Sequence, residues 1–266
     1  MQGSMPPTPT TGTTAPPVRI GIPWRTTKEQ QAGERKKLDY YFEAVTRAGA
    51  EPFGIRLDQT SASTQAQLSE LDGFVLPGSP ADVDPARYGA AKHIKTNELD
   101  ANRDRTDFAI LDHAFETGKP VLAICFGCQL LNVYLKGTLI QDLGAEKPGS
   151  IVHGDTDLAP GATKGDIEHP VAFSGGSRLS RLNGSVAGTI NSSHHQAIDK
   201  VGDNLQVTAR ASDGTIESVE WTGGSNWVVG VQWHPERMLG DALSERLLRD
   251  FVEAARIARG SVVQKA

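Results

Sequence analysis

Cysteine is nearly absent from this chain, with two among 266 residues. Two cannot form the disulfide framework of a small secreted domain, so the sequence reads as cytoplasmic. No apolar run approaches the roughly 20 residues that a membrane-spanning helix needs. Positive charge is not in excess: Lys and Arg total 27 against 32 Asp and Glu, a net charge of −5. That balance argues against nucleic acid or an anionic membrane as the main partner. The opening MQGSMPPTPTTGTTAPP lacks the basic and apolar blocks of a secretory leader. It is rich in Pro and Thr and offers little apolar surface to bury, so residues 1–17 are expected to be a disordered tail. Residues 261–266 read as a C-terminal tail, leaving 18–260 as one domain.

Within that domain, strands and helices alternate. VRIGIPW (18–24) reads as a first strand, and residues 33–50 as one helix with Leu38, Tyr41, Phe42, Val45 and Ala48 on a single face. EPFGIRL and LDGFVLPGSP follow as strands, the second ending in a Pro/Gly turn and a polar loop. Residues 99–118 form a second amphipathic helix, with Phe108, Leu111 and Phe115 inward and Gly118 as its stop. KPVLAI (119–124) is a strand and GCQLLNVYLKG (127–137) a helix. Beyond residue 138 short β-like runs appear (GSIVHG, VAGTINSS, LQVTARAS, TIESVEW, NWVVGVQW) before a last helix over 241–260, with Leu243, Leu247, Phe251 and Ala255 on one face. The pattern predicts an α/β fold: a largely parallel central sheet with helices on both faces and antiparallel edge strands.

Both cysteines fall in VLAICFGCQLL (121–131), spaced C-x-x-C. A zinc site would want a second pair or spaced histidines, and neither accompanies them, so no metal is expected. A thioredoxin-like redox pair would stand near the start of a shorter chain. The local pattern instead describes a nucleophile elbow: a strand runs into Cys125, Phe126-Gly127 turns sharply, and a helix begins. The helix N-terminus favours the thiolate, and the N–H after the nucleophile can face a developing oxyanion. Cys128 falls one turn into the helix as a packing residue. An elbow needs a base, and NWVVGVQWHPERM (226–238) supplies His234 at a strand end with Glu236 beyond a rigid Pro235.

These segments together resemble the class I glutamine amidotransferase-like proteins of flavodoxin-like architecture. More narrowly, they resemble the gamma-glutamyl-gamma-aminobutyrate hydrolase family, peptidase family C26. The likeness runs through LPGSPADVDPARYG (76–89), KPVLAICFGCQLLNVYLKGTLIQDL (119–143), INSSHHQAID (190–199), ARASDGTIESVE (209–220) and VVGVQWHPE (228–236). It implies a triad of Cys125, His234 and Glu236, with an oxyanion hole from the N–H groups of Phe126 and of the Gly78-Ser79 turn. Gln129 would hold the glutamyl part of the substrate, with His194 and Gln196 lining the same pocket. Glu217 reads as an exposed strand position. Phe126 departs from the family, where arginine is frequent.

The implied reaction is hydrolysis of a γ-glutamyl amide through a γ-glutamyl thioester, with no cofactor and a small-molecule γ-glutamyl substrate. Three other readings stay open: a glutaminase subunit delivering ammonia to a separate synthetase, a non-catalytic binding member of the fold, and a thiol oxidoreductase. A homo-oligomer is also open.

Overall fold

A computed structural model describes residues 16–154 and 167–263, with side chains through residue 260. Most of the expected N-terminal tail, residues 1–15, lies outside the described residues.

Strand β1 (Arg19–Pro23) leads through α1 (Thr27–Ala32) and α2 (Lys36–Arg47) into β2 (Glu51–Ile55), then through α3 (Ser61–Ser69) into β3 (Gly73–Leu76). A long loop precedes α4 (Ala101–Thr117), β4 (Val121–Ile124) and α5 (Phe126–Tyr134). There follow β5 (Leu139–Ile140), α6 (Leu143–Glu146), β6 (Ile167–Phe173), α7 (Arg178–Asn183), β7 (Ala187–Ser192), β8 (Ala197–Ile198), β9 (Leu205–Ala211), β10 (Ile216–Trp221), β11 (Val228–Val231) and α8 (Ala242–Val263).

Nine strands form one sheet in the order β2-β1-β3-β4-β11-β10-β9-β6-β7, and β5 with β8 makes a separate ribbon. Strands β2, β1, β3, β4 and β11 are parallel. From β11 outward through β10, β9, β6 and β7 every pairing is antiparallel. The predicted class holds, but the antiparallel part is four strands deep and is nearly half of the sheet.

Period-two alternation sorts the strand side chains onto two cores. Val75, Leu122, Ile124, Val229 and Val231 face one way, onto Leu38 and Tyr41 of α2 and Leu243, Leu247 and Phe251 of α8. Phe74, Leu76, Val121, Ala123 and Val228 face the other, onto Leu68 of α3, Ile110 and Leu111 of α4 and Leu130 and Leu131 of α5. Leu247 and Phe251 are fully buried, each contributing about 1.5–3 kcal/mol of burial energy. Within α4 the buried apolar residues are Ile110, Leu111 and Ala114; Phe108 and Phe115 only flank that core.

Several sequence expectations need correction. The helix expected over 33–50 is present but shorter, as α2 (Lys36–Arg47), and a helix that was not expected, α1, precedes it. Thr26 caps α1 through the Glu29 N–H, Gly33 ends it at φ 67°, and α2 starts afresh at Lys36. GSIVHG forms no strand. The short α3 and α7 carry too few apolar residues to announce themselves, and β6 is masked by its proline. Pro170 is tolerated because β9 pairs with β6 only from Val171 onward. The closing helix passes Gly260 and runs to Val263, into the range read as a tail.

Candidate active site

Cys125 caps α5 with φ 52° and ψ −106°, a conformation that non-glycine residues avoid. Its backbone is pinned by the N–H bond to the Val231 carbonyl at 2.8 Å, so the strained residue is held by the neighbouring strand. The turn also requires Gly127, where a Cβ would stand 2.3 Å from the Leu76 carbonyl oxygen. The thiol of Cys125 lines two cavities. Cys128 is fully buried. Burial raises its thiol well above the ordinary value, with Cys125 and Glu217 adding to the effect.

Strand β11 lies beside β4 and delivers His234 just past its end. The Cys125 sulfur is close enough to act electrostatically on the imidazole, whose Nδ1 donates to Glu236 Oε1 at 2.8 Å. All three side chains are buried. Burial disfavours the imidazolium, but the Glu236 carboxylate and the Cys125 sulfur outweigh it and hold His234 at about 9. Burial likewise opposes the Glu236 carboxylate, yet His234 keeps it below its ordinary value. Asn191 holds His234 from behind: its Oδ1 accepts from the His234 N–H at 2.9 Å and its Nδ2 donates to the His234 carbonyl at 3.1 Å.

On the other side of Cys125, β3 ends in the Gly78-Ser79 turn. The Gly78 N–H donates to the Tyr41 hydroxyl at 3.0 Å and is therefore engaged. Arg25 Nε donates to the Gly78 carbonyl at 3.0 Å, and the Ser79 hydroxyl donates back to the Arg25 carbonyl at 3.0 Å. No described peptide is cis, so a carbonyl held on one side sends the Ser79 N–H to the opposite side. The Phe126 N–H, at the first position of α5, has no partner within its helix. Ser79 and Phe126 thus remain as donors, and Gly78 supplies close approach: a Cβ there would sit 2.9 Å from His234 Cε1. Behind the turn, fully buried Arg103 donates to the Pro77 carbonyl at 2.7 Å, the Arg25 carbonyl at 2.9 Å and Asp107 at 2.7 Å. Burial lifts the Asp107 carboxyl to about 6 against the pull of Arg103.

One cavity beside Cys125 is lined by Asp82, Asn97, Gln129, His194, His195 and Gln196. Both N–H bonds of Gln129 are used in the wall, to the Gln196 carbonyl and to Gln232 Oε1. What Gln129 can offer a ligand is its carbonyl oxygen, an acceptor suited to an ammonium. His194 forms part of the wall, but its Nδ1 is bonded to the Gln196 carbonyl at 2.9 Å and its Nε2 lies 3.8 Å from Glu217. Gln196 is buried, with Nε2 on the Gln141 carbonyl. His195 reaches Asp82 at 3.1 Å and Asp142 at 3.5 Å. Burial works against its charge, yet the two carboxylates raise it above the ordinary value.

The second cavity opens from the same thiol between Arg25, Lys36, Lys37, Tyr40, Tyr41 and Arg237. Arg25, Asp82, Asn97 and Asn191 were not singled out from sequence, and Tyr41 was read there only as a core position. Glu217 is not an exposed strand residue but is completely buried.

The elbow, the turn and the strand-end histidine define a class I glutamine amidotransferase-like fold. The crystal structure of a candidate GMP synthase component from Thermoplasma acidophilum superposes with a TM-score of 0.66 over 95% of this chain and 100% of that one, at 13% identity. More narrowly, residues 19–236 match the Peptidase C26 family model, and the chain belongs to that family of C–N hydrolases. It is 34% identical to the gamma-glutamyl-gamma-aminobutyrate hydrolase of Escherichia coli (strain K12), covering 80% of this chain and 84% of that protein. It is 39% identical to a candidate glutamine amidotransferase of Mycobacterium tuberculosis, covering 81% of this chain and 66% of that protein. A glutamine amidotransferase-like protein of Rickettsia prowazekii is 30% identical, over 81% of this chain and 88% of its own length. No helix among the described residues is long and apolar enough to cross a membrane.

Proposed function

We propose that this protein hydrolyses a γ-glutamyl amide whose leaving amine carries a carboxylate, such as γ-glutamyl-γ-aminobutyrate. The observation that carries the reading is the meeting of Cys125 with the hydrogen-bonded pair His234–Glu236 where two chemically different cavities join. Cys125 Sγ attacks the γ-carbonyl, and the oxyanion forms against the Ser79 and Phe126 N–H groups. His234 passes its proton to the amine nitrogen as the C–N bond breaks, leaving a γ-glutamyl thioester. Water then gives a proton to His234 and attacks the thioester, releasing glutamate and restoring the thiol. Glu236 holds the imidazole in the productive tautomer throughout.

Asp82 and the Gln129 carbonyl oxygen suit the substrate's α-ammonium, which supports seating the glutamyl part in the first cavity. The leaving amine then faces the second. There Lys36, Lys37, Arg25 and Arg237 outnumber Glu34 and Glu236, a field that favours an anionic group on the departing amine. Two free cysteines, one of them the nucleophile, suit the reducing cytoplasm.

Glutamate release from γ-glutamyl-γ-aminobutyrate, a γ-glutamyl alkylamine of similar length and glutamine tests the reading. The carboxylate-bearing amide is expected to be preferred at least tenfold in kcat/KM over the alkylamine. That preference should shrink in Lys37→Ala, and Cys125→Ala should abolish all turnover. Turnover of glutamine alone, rising when a synthetase is added, would identify an ammonia-delivering protein instead.

A further inference from the structure

Behind the wall of the first cavity, four buried side chains converge that the proposed reaction does not use. His153 comes from the loop after α6, His169 from β6, His194 from the loop after β7 and Glu217 from β10. His153 and Glu217 are completely buried, and His169 and His194 are 5% and 6% exposed. Each histidine has one ring nitrogen anchored on an oxygen at hydrogen-bond distance. His153 Nε2 lies 2.9 Å from Asp213 Oδ2, His169 Nδ1 lies 3.0 Å from the Pro170 carbonyl, and His194 Nδ1 lies 2.9 Å from the Gln196 carbonyl. The opposite nitrogens, His153 Nδ1, His169 Nε2 and His194 Nε2, have no hydrogen-bond partner among the described residues, and neither carboxylate oxygen of Glu217 has one.

All three unpartnered nitrogens surround Glu217 Oε1, at 3.4, 3.5 and 3.8 Å. One ligand atom from each of His153, His194 and Glu217 falls within 4.8 Å of the others. A charge-assisted hydrogen bond would close to about 2.7–2.9 Å, as His153 does with Asp213. The cluster holds its atoms further apart than that. A tetrahedral ion with bonds of about 2.0–2.1 Å sets its donors about 3.3–3.4 Å apart, close to the separations of the three nitrogens from Glu217 Oε1, and binding would draw the remaining separations together. Leaving a carboxylate and three imidazole nitrogens buried without partners would cost several kcal/mol. Anchoring each histidine through its far nitrogen is also how metal-ligating imidazoles are oriented.

We infer that His153, His194 and Glu217, with His169 as the fourth ligand, form a structural site for a divalent transition ion of the zinc type. Four protein ligands leave no open position, so the ion takes no part in the cleavage. It ties the 151–154 loop, β6 and β10 to the 193–196 loop, and so fixes the wall that His194, Gln196 and Gly154 present to the first cavity. Sequence spacing concealed the set, because its members are scattered from 153 to 217 with no short-range repeat. The expectation of no metal considered only the cysteine pair and short histidine spacings.

The test is titration of the full chain, stripped by chelator, with ZnCl2 and separately with CoCl2. About one tightly held equivalent of zinc per chain is expected, together with the visible absorption of tetrahedral Co2+ and a rise in Tm on zinc binding. Cys125→Ala should leave all three unchanged, which separates this site from adventitious binding at the thiol and His234. Glu217→Gln and His153→Ala should lose the zinc equivalent and the cobalt band. Should either fail to fold by circular dichroism, His169→Gln, which keeps Glu217, should weaken zinc affinity at least tenfold. Failure of wild type to hold zinc or cobalt at micromolar concentration overturns the inference. So does binding that survives the cluster variants, or binding that Cys125→Ala removes.

Discussion

Asn191 grips the backbone of His234 at both ends of one residue, accepting from its N–H at 2.9 Å and donating to its carbonyl at 3.1 Å. The side chain of His234 is therefore aimed by two devices. Glu236 orients the ring, and Asn191, arriving from β7 on the far edge of the sheet, fixes the backbone that carries it. Replacing Asn191 by Leu removes both bonds and leaves two buried backbone groups unpaired, at a cost of about 1–3 kcal/mol each. The expected result is a fall in kcat on the order of tenfold or more with KM little changed. Steady-state kinetics with a γ-glutamyl amide check this, and an altered KM at constant kcat would count against the positioning role.

Arg25 acts on the oxyanion side. By holding the Gly78 carbonyl it fixes the direction of the Ser79 N–H. Losing one well-aimed oxyanion donor costs roughly 100- to 1,000-fold in rate; losing only its alignment should cost less. Arg25→Ala is expected to lower kcat by about 10- to 100-fold, and Arg25→Lys, whose point charge lacks the Nε geometry, should not restore it.

The charge state of the base gives a pH prediction. With His234 held at about 9, the imidazolium proposed to protonate the leaving amine persists through neutral pH and is lost above about 9. The alkaline limb of kcat/KM is expected there rather than near the ordinary histidine value of about 6.5. Glu236 raises His234, so Glu236→Gln should move the limb to lower pH as well as lowering the rate. A wild-type limb near 6.5 would remove the ion-pair assignment.

Cys128 is packed against β11, where a Cβ on Gly230 would meet its sulfur at 2.8 Å. Cys128→Ala should retain activity within about twofold. Cys128→Ser should lose about 1–3 kcal/mol of stability by burying a hydroxyl without a partner. Urea unfolding and glutamate release separate the two effects. Loss of activity in Cys128→Ala equal to that of Cys125→Ala would restore the redox-pair reading.

The strand-end positions of Cys125 and His234, the proposed nucleophile and base, were legible in sequence because both are local events. A strand runs into Cys-Phe-Gly and then a helix, and another runs into His-Pro-Glu. The α2 and α8 faces were legible for the same reason, since Leu38, Tyr41 and Val45, or Leu243, Leu247 and Phe251, repeat at helical spacing. Tyr41 shows the limit. Its position satisfies the core period, so nothing local indicates that its hydroxyl engages Gly78. Glu217 was misread because alternation in TIESVEW suggests one wet face, whereas β10 lies inside the sheet with Glu217 and Ser218 both buried. Pro170 hid β6, and only the staggered start of β9 makes a strand there tolerable.

The proposed nucleophile, oxyanion turn and base issue from β4, β3 and β11, with β4 between the other two in the sheet. Their mutual distances are therefore set first by strand spacing, about 4.8 Å between neighbours, and then trimmed by the Arg25 and Asn191 contacts. Much of the cavity lining, by contrast, comes from residues 34–40, 80–97, 193–196 and 237–239. Chemistry and selectivity are thus modular in this chain. Exchange of those segments would redirect the enzyme to a different amine while leaving the bond-breaking apparatus as it stands, which makes the scaffold evolvable one rim at a time.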